Sequence, residues 1–166
     1  MNVAPREPRP DVAGVAFPRV FMTLSREATV IAFDFGTRRI GVAIGNTIVG
    51  VARPLTTIDA AESAARFAAI AALIDEWRPD RLVVGIPVHA DGSEHPMTQR
   101  ARRFARQLGG RFKLPVALAD ERYTTQAAAS KLEGAGEGGR RGRAKRDEVA
   151  AQLILQAWLD ERDATG

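Results

Sequence analysis

Three places in the sequence put carboxylates where they could do chemistry. Asp34 closes an apolar run and opens the segment Asp34-Phe-Gly-Thr-Arg-Arg-Ile-Gly41. Asp120 and Glu121 follow the apolar run 115–119, and Asp147 precedes a run whose apolar residues recur at helical spacing. A carboxylate in an apolar strand is costly to bury unless something compensates it. A divalent cation is one such partner, because hard cations prefer oxygen ligands. Glycines at 36 and 41 would let a phosphate or an ion approach the backbone closely. Brought together, Asp34, Glu121 and Asp147 could hold one or two Mg2+ or Mn2+ ions about 4 Å apart. Such ions would activate a water and stabilise the leaving 3′ oxygen in an in-line attack on phosphorus. Each acid also has a purely structural explanation. Asp34 could cap its own turn, one of Asp120 and Glu121 could face water, and Asp147 could favour a helix dipole. Their convergence is what argues for a site.

Basic residues are grouped as well. No acid occurs from His95 to Ala119, where Arg100, Arg102, Arg103, Arg106, Arg111 and Lys113 fall. A second group is Arg140, Arg141, Arg143, Lys145 and Arg146. Two patches of one sign suit a polyanion such as nucleic acid. Arg100, Arg103, Arg140, Arg141, Arg143 and Lys145 are therefore the candidates for gripping a substrate backbone. His89 and His95, the only histidines, flank Asp91-Gly92 and are read as covering a loop.

The elements that must position these residues follow from periodicity. Thr29 to Phe35 reads as a buried strand, Arg39 to Gly45 as a second and Ile48 to Thr57 as a third. Their short links predict an antiparallel meander. Ala60 to Trp77 is a predicted helix with the stripe Phe67, Ile70, Leu73, Ile74 and Trp77, ended by Pro79. Arg81 to Pro87 reads as a central parallel strand, His95 to Phe112 as a basic helix, and Pro115 to Ala119 as another buried strand. Thr124 to Leu132 is predicted helical. Gly134 to Arg146, rich in glycine and arginine, is expected to be a mobile link, with the last helix running from Asp147 to Glu161. On that helix Ala150, Ala151 and Ile154 share the face of Asp147, which turns the acid towards the sheet. The order βββαβαβα implies an α/β fold with a mixed sheet flanked by helices.

Composition sets outer bounds. A chain of 166 residues fits one ordinary domain. Its formal net charge of +4 is only mildly basic. Cysteine is absent, which excludes disulfides, thiolate metal sites and cysteine nucleophiles and is compatible with a reducing cytosol. No apolar run approaches the roughly 18 residues of a membrane helix. Residues 1–28 carry Pro5, Pro8, Pro10 and Pro18 among scattered charges, which breaks any secretory apolar region. They are expected to form a poorly ordered extension before a domain at 29–162. A cytoplasmic protein without membrane contact is the expectation.

Five motifs in order then carry a resemblance. Ile31-Ala-Phe-Asp-Phe-Gly-Thr-Arg-Arg-Ile-Gly-Val-Ala-Ile-Gly45 comes first, then Ala52-Arg-Pro-Leu55 and Val84-Gly-Ile-Pro87 with Asp91-Gly92. Asp120-Glu-Arg-Tyr-Thr-Thr125 and Asp147-Glu-Val-Ala-Ala151 complete the set. Together they closely resemble the YqgF, or RuvX, family over about residues 29–160. The resemblance implies a ribonuclease H-like fold with three antiparallel and then two parallel strands. It implies a nuclease maturing the 5′ end of pre-16S ribosomal RNA, with Holliday junction resolution on branched DNA as the alternative. It places the family's acids on Asp34, Glu121 and Asp147. Alternation alone does not choose between Asp120 and Glu121, since strand 115–119 is apolar throughout. The resemblance favours Glu121, with Asp120 turned away towards Arg122 or a backbone amide. The related RuvC resolvases carry an acid at the end of the fourth strand. Val84-Gly-Ile-Pro87 has none there, so the acid after the fifth strand takes its place. Tyr123 stands where the family usually has leucine, and its hydroxyl needs a partner if buried. A homodimer is a possible assembly.

Two rivals come from other classes. A non-catalytic nucleic-acid-binding module of the same fold would usually lose the acids, and this chain keeps all three. A sugar kinase or actin-like ATPase half shares the Asp-x-Gly-Thr opening, but it needs a duplicated domain, and the sequence contains no repeat.

Overall fold

The computed structural model of the chain describes residues 29–89, 91–121 and 139–165. Within them lie five strands: β1 (Thr29–Phe35), β2 (Arg39–Asn46), β3 (Val51–Asp59), β4 (Arg81–Ile86) and β5 (Val116–Asp120). Three helices accompany them: α1 (Ser63–Trp77), α2 (Thr98–Phe112) and α3 (Gly139–Thr165). The sheet order is β3-β2-β1-β4-β5. β1 pairs antiparallel with β2, and β2 with β3, while β4 runs parallel to both β1 and β5. This is the mixed α/β sheet that the element order implies.

Alternation along the strands sorts side chains onto two unlike faces. Ile31 and Phe33 of β1 join Ile40, Val42 and Ile44 of β2 and Leu82, Val84 and Ile86 of β4. These large side chains pack under Phe67 and Ile70 of α1 and Phe104, Ala105 and Leu108 of α2. The opposite face is built from Val30, Ala32, Ala43, Ala52 and Val83. Small residues bring the covering element close, and that element is α3, through Ala151, Ile154, Leu155, Trp158 and Leu159. The two faces therefore differ in spacing: two helices stand off a bulky surface, and one helix lies tightly on a shallow one.

Several boundaries differ from the sequence reading, each for a local reason. β3 begins at Val51 rather than Ile48, because Asn46 Oδ1 accepts the amides of Ile48 and Val49 at 2.8 and 3.0 Å and folds them into a turn. Ile48 and Val49 are accordingly about 70% exposed. α1 starts at Ser63 and not at Ala60, whose carbonyl accepts from the Arg66 guanidinium. α2 starts at Thr98 rather than His95, because Nδ1 of His95 accepts the Met97 amide at 3.0 Å and holds a turn there. The largest correction concerns α3. It is already helical at Gly139, well before Asp147, so residues 139–146 are not the mobile link expected there. Arginine, lysine and alanine are good helix formers. Tertiary contacts finish the argument: Gly142 is buried, and Thr57 Oγ1 of β3 donates to the Ala144 carbonyl at 2.7 Å. Asp147 is thus an interior helical residue, and the helix-dipole explanation for it falls away. The expected extension at 1–28, the helix at 124–132, Tyr123 and residues 134–138 lie outside the described residues.

α3 crosses β2 at Gly41. A Cβ there would overlap the backbone carbonyl of Asp147, which is not a flexible group that can swing aside. Glycine is therefore the residue that lets the helix seat. Gly41→Ala should lower stability by at least about 1–3 kcal/mol, the usual cost of overpacking a tight contact. A melting midpoint equal to that of the wild type would show that the helix can lift off β2 freely.

Candidate active site

Asp34 lies at the carboxyl end of β1, the middle strand of the sheet. Its even-numbered neighbours Val30 and Ala32 belong to the face under α3, and alternation puts Asp34 on that face too. Two glycines on the flanking strands bring the other acids to it. In β2 the cross-strand partner of Asp34 is Gly41, over which the backbone of Asp147 passes. In β4, Val84 pairs with Phe33, and the next residue is Gly85. A Cβ on Gly85 would meet Glu121 Oε2 at 2.6 Å and Ile154 Cδ1 at 2.5 Å. The Glu121 carboxylate thus lies over the gap in β4, reaching from β5 towards β1.

The electrostatics agree with this placement. Burial, then the charges of Glu121 and Asp147, push the Asp34 carboxyl well above the usual carboxylate range. Glu121 is 9% exposed, while its neighbour Asp120 is exposed. Asp147 is held by Arg39, whose Nε donates to Asp147 Oδ2 at 2.7 Å in a part-buried pair. Glu121 and Asp147 are thus close enough to Asp34 to oppose its ionisation. They do not, however, converge into a tight cage among the described residues. Like charges resist such an approach, and Arg39 draws one oxygen of Asp147 to itself.

A signal in the sequence separates Asp120 from Glu121. The α3 face uses small residues throughout, and in β5 these are Ala117 and Ala119. Glu121 continues their parity, whereas Asp120 follows Val116 and Leu118.

Beside Glu121 a cleft of about 480 Å3 opens at the carboxyl ends of β1 and β4, lined among others by Gly36, Thr37, Pro87 and His95. In open α/β sheets such ends gather ligands. His95 thus lines this cleft while its Nδ1 accepts the Met97 amide in the turn before α2. Its ring lies 5.3 Å from that of His89.

The basic residues divide. Arg100, Arg103 and Arg106 are exposed on α2, and Arg102 pairs with Glu94 at 3.2 Å. Arg111 stacks over Phe67 at 4.0 Å. Arg141, Arg143, Lys145 and Arg146 are exposed along the first turns of α3. The side chain of Arg140 lies outside the described residues. A residue the sequence did not single out is Arg66. It is buried in α1, with its guanidinium donating to the carbonyls of Ala60 and Gly36.

Comparison with known proteins gives this geometry a lineage. Residues 28–161 match the family model described as "RuvX: Holliday junction resolvase". A Nitrosomonas europaea protein named "Putative pre-16S rRNA nuclease" is 57% identical over 139 residues, covering 84% of this chain and 94% of that one. A Chromobacterium violaceum protein of the same name is 56% identical over 132 residues, covering 79% and 96%. Among solved structures, T. thermophilus RuvC in complex with a Holliday junction substrate superposes with a TM-score of 0.52 at 16% identity, covering 83% of this chain and 97% of that one. Fowlpox virus resolvase bound to Holliday junction DNA gives 0.51 at 9% identity, covering 81% and 98%. At such low identity these two likenesses show the fold alone, and it is the ribonuclease H-like one. With the sequence matches spanning most of both chains, the chain belongs to the RuvX family of nucleases.

Proposed function

We propose that this protein is a metal-dependent endonuclease that matures the 5′ end of pre-16S ribosomal RNA in the cytoplasm, with Asp34, Glu121 and Asp147 as its catalytic acids. The observation that carries the reading is the part-buried Asp34 carboxyl beside two further carboxylates that, with its desolvation, raise its pKa. A carboxyl so placed is an expensive structural element and a serviceable ligand. The names of the close relatives supply the substrate.

The donor set fits a hard divalent cation, since all three side chains offer carboxylate oxygen. Mg2+ or Mn2+ held by Asp34, Glu121 and Asp147 would activate the attacking water and stabilise the leaving oxygen. The remaining work falls to the chain itself. Asp34 is fixed by the rigid middle strand. Gly85 leaves the space in which the Glu121 carboxylate lies. Arg39 orients Asp147 and tempers the repulsion within the group. Arg100, Arg103, Arg140, Arg141, Arg143 and Lys145 hold the phosphate backbone.

Asp34→Asn should abolish cleavage of pre-16S RNA in Mg2+ or Mn2+. It should also leave the metal-free protein at least as stable near neutral pH. The sign follows from linkage: a carboxyl whose pKa is raised on folding opposes the fold above its unfolded value, and asparagine has no charge to bury. Purified wild type and variant are assayed on precursor RNA and four-way DNA side by side, with melting curves. Wild-type turnover by folded Asp34→Asn would remove Asp34 from the site. Cleavage of the junction but not the RNA would transfer the enzyme to branched DNA, as the family description reads.

Glu121→Gln should remove both metal binding and activity, whereas Asp120→Asn should mainly cost stability. Calorimetric metal affinity, cleavage rate and melting temperature of both variants decide it. Loss of metal by Asp120→Asn alone would exchange the two acids.

Charge removal should read out in salt. Each phosphate contact contributes about 0.7–0.9 to the slope of log affinity against log salt. Neutralising Arg100, Arg102, Arg103 and Arg106 together with the 140–146 group should weaken binding and flatten that slope. An unchanged slope would mean that both groups are ordinary solvated surface.

A further inference from the structure

Between α1 and α2, on the face of the sheet opposite the acids, lies a second cavity of about 280 Å3. Its polar lining includes Arg66, Arg100, Arg103 and Gln107, and no acid among the described residues contributes to it. Its apolar wall is Phe35, Phe67 and Phe104, whose rings pack together with centroids 4.8 Å apart for Phe35–Phe104 and 6.0 Å for Phe67–Phe104.

Arg66 is the unusual member. It is 6% exposed, and its guanidinium sits 5.3 Å from the Phe35 ring centroid. Its two hydrogen bonds go to backbone carbonyls, which satisfy donors but carry no full charge. Burial pulls its pKa below the ordinary value. Among the described residues no carboxylate pairs with Arg66, Arg100 or Arg103. On the same helix Arg102 pairs with Glu94 and Arg111 stacks on Phe67. A buried cation beside two more cations, without an acid, is a costly arrangement that an anion would relieve. Arginine forks match phosphate oxygens in geometry as well as in charge. The α1 N-terminus, where Ser63 also lines the cavity, begins at the exposed N-cap residue Glu62, whose side chain makes no cap bond, and has no acid in its first turn. Its free amides and dipole favour the same sign of ligand.

The cavity adjoins the candidate active site through one shared residue, Phe35. Phe35 follows Asp34 in the chain and lines both this cavity and the cleft beside Glu121. Arg66 also holds the carbonyl of Gly36, another wall of that cleft.

We infer that the cavity bounded by Arg66, Arg100 and Arg103 is a phosphate subsite, which takes one non-scissile phosphodiester of the substrate strand while the scissile one lies at the acids. The inference rests on the nuclease reading. The strand passes over the carboxyl end of β1, rounding Phe35. Phe35, the part-buried ring of that wall, meets the sugar of the bound nucleotide, while Phe67 and Phe104 are buried behind it. Because the subsite is fixed to the loop that follows Asp34, it sets which linkage presents itself to the acids.

The test uses full-length protein and labelled RNA oligonucleotides spanning the 5′ end of pre-16S RNA, with a DNA series of the same sequence. Each carries one neutral methylphosphonate linkage on a 2′-deoxy sugar at a different position. Affinity is measured by anisotropy without divalent metal, so that binding is read apart from cleavage. In the wild type one position away from the cut should be sensitive, losing roughly tenfold in affinity as a charge-assisted contact disappears. In Arg100→Gln/Arg103→Gln, two exposed positions whose change should not disturb folding, unmodified RNA should bind more weakly and that one position should lose its sensitivity. Arg66→Lys, which keeps the charge but not the fork, should show a partial loss. A double variant that keeps the wild-type pattern of sensitivity would overturn the subsite, and so would a wild type with no sensitive position beyond the cut. Inorganic phosphate that occupies the cavity without competing against the oligonucleotide would also overturn it, making the pocket a site for free anion. A wild type that shows the expected pattern yet cuts neither RNA nor DNA would instead sink the nuclease reading alone.

Discussion

The rest of the structure depends on burying one carboxyl in the middle of a sheet. Asp34 stands in β1, where strands lie on both sides and α3 lies above. Water cannot solvate it fully there, and two further acids oppose its charge. Such a position survives only if its neighbours are fixed by something stronger than the repulsion. The hydrophobic seat of α3 supplies that. Ile154, Leu155 and Leu159 are almost fully buried on the α3 face. Helix and sheet are therefore held together by apolar contact that starts beside Glu121, at Ile154, and continues along the helix to Leu159.

Close seating of α3 has its own requirement, and the sequence meets it with small residues. Gly41, Ala43 and Gly45 follow one another on the α3 face of β2, and Ala117 and Ala119 on that of β5. A larger residue at any of these would raise the helix. Asp147 would then move away from Asp34, because its backbone rests on Gly41. Packing and site geometry are thus one constraint. The other face tolerates bulk, since its two helices carry no acid to the centre.

This division explains what was legible in the sequence. Strand identity and the meander followed from β-branched runs and short links, and those signals are local. The choice between Asp120 and Glu121 was also present, in the small residues Ala117 and Ala119, but it becomes readable only once the two faces are known to differ in depth. The early start of α3 was hidden by glycine and arginine, which suggest a link when taken by themselves. What settles residues 139–146 as helix is contact with β3 through Thr57, a partner distant in sequence. Arg66 was hidden for the same reason. Its position in an alanine-rich helix looks like a solvated charge, and its burial depends on where α2 and the Gly36 loop fall. Local patterns give elements and long-range packing gives partners, so the acids could be nominated from sequence, whereas the arginine that faces their loop could not.

The sheet also keeps opposite charges from cancelling. Asp34 and Phe35 are consecutive, so their side chains leave opposite faces of β1. Acids collect under α3, and Arg66, Arg100 and Arg103 collect between α1 and α2. If the arginines shared a face with the acids, they would pair with them, and the carboxylates would be lost as ligands. Arg39 shows the limit: it shares the α3 face and is taken up by Asp147. Separation by one strand's thickness sets this basic surface beside the acidic pocket without mixing the two. The two adjoin at the carboxyl end of β1, where Asp34 and Phe35 are consecutive.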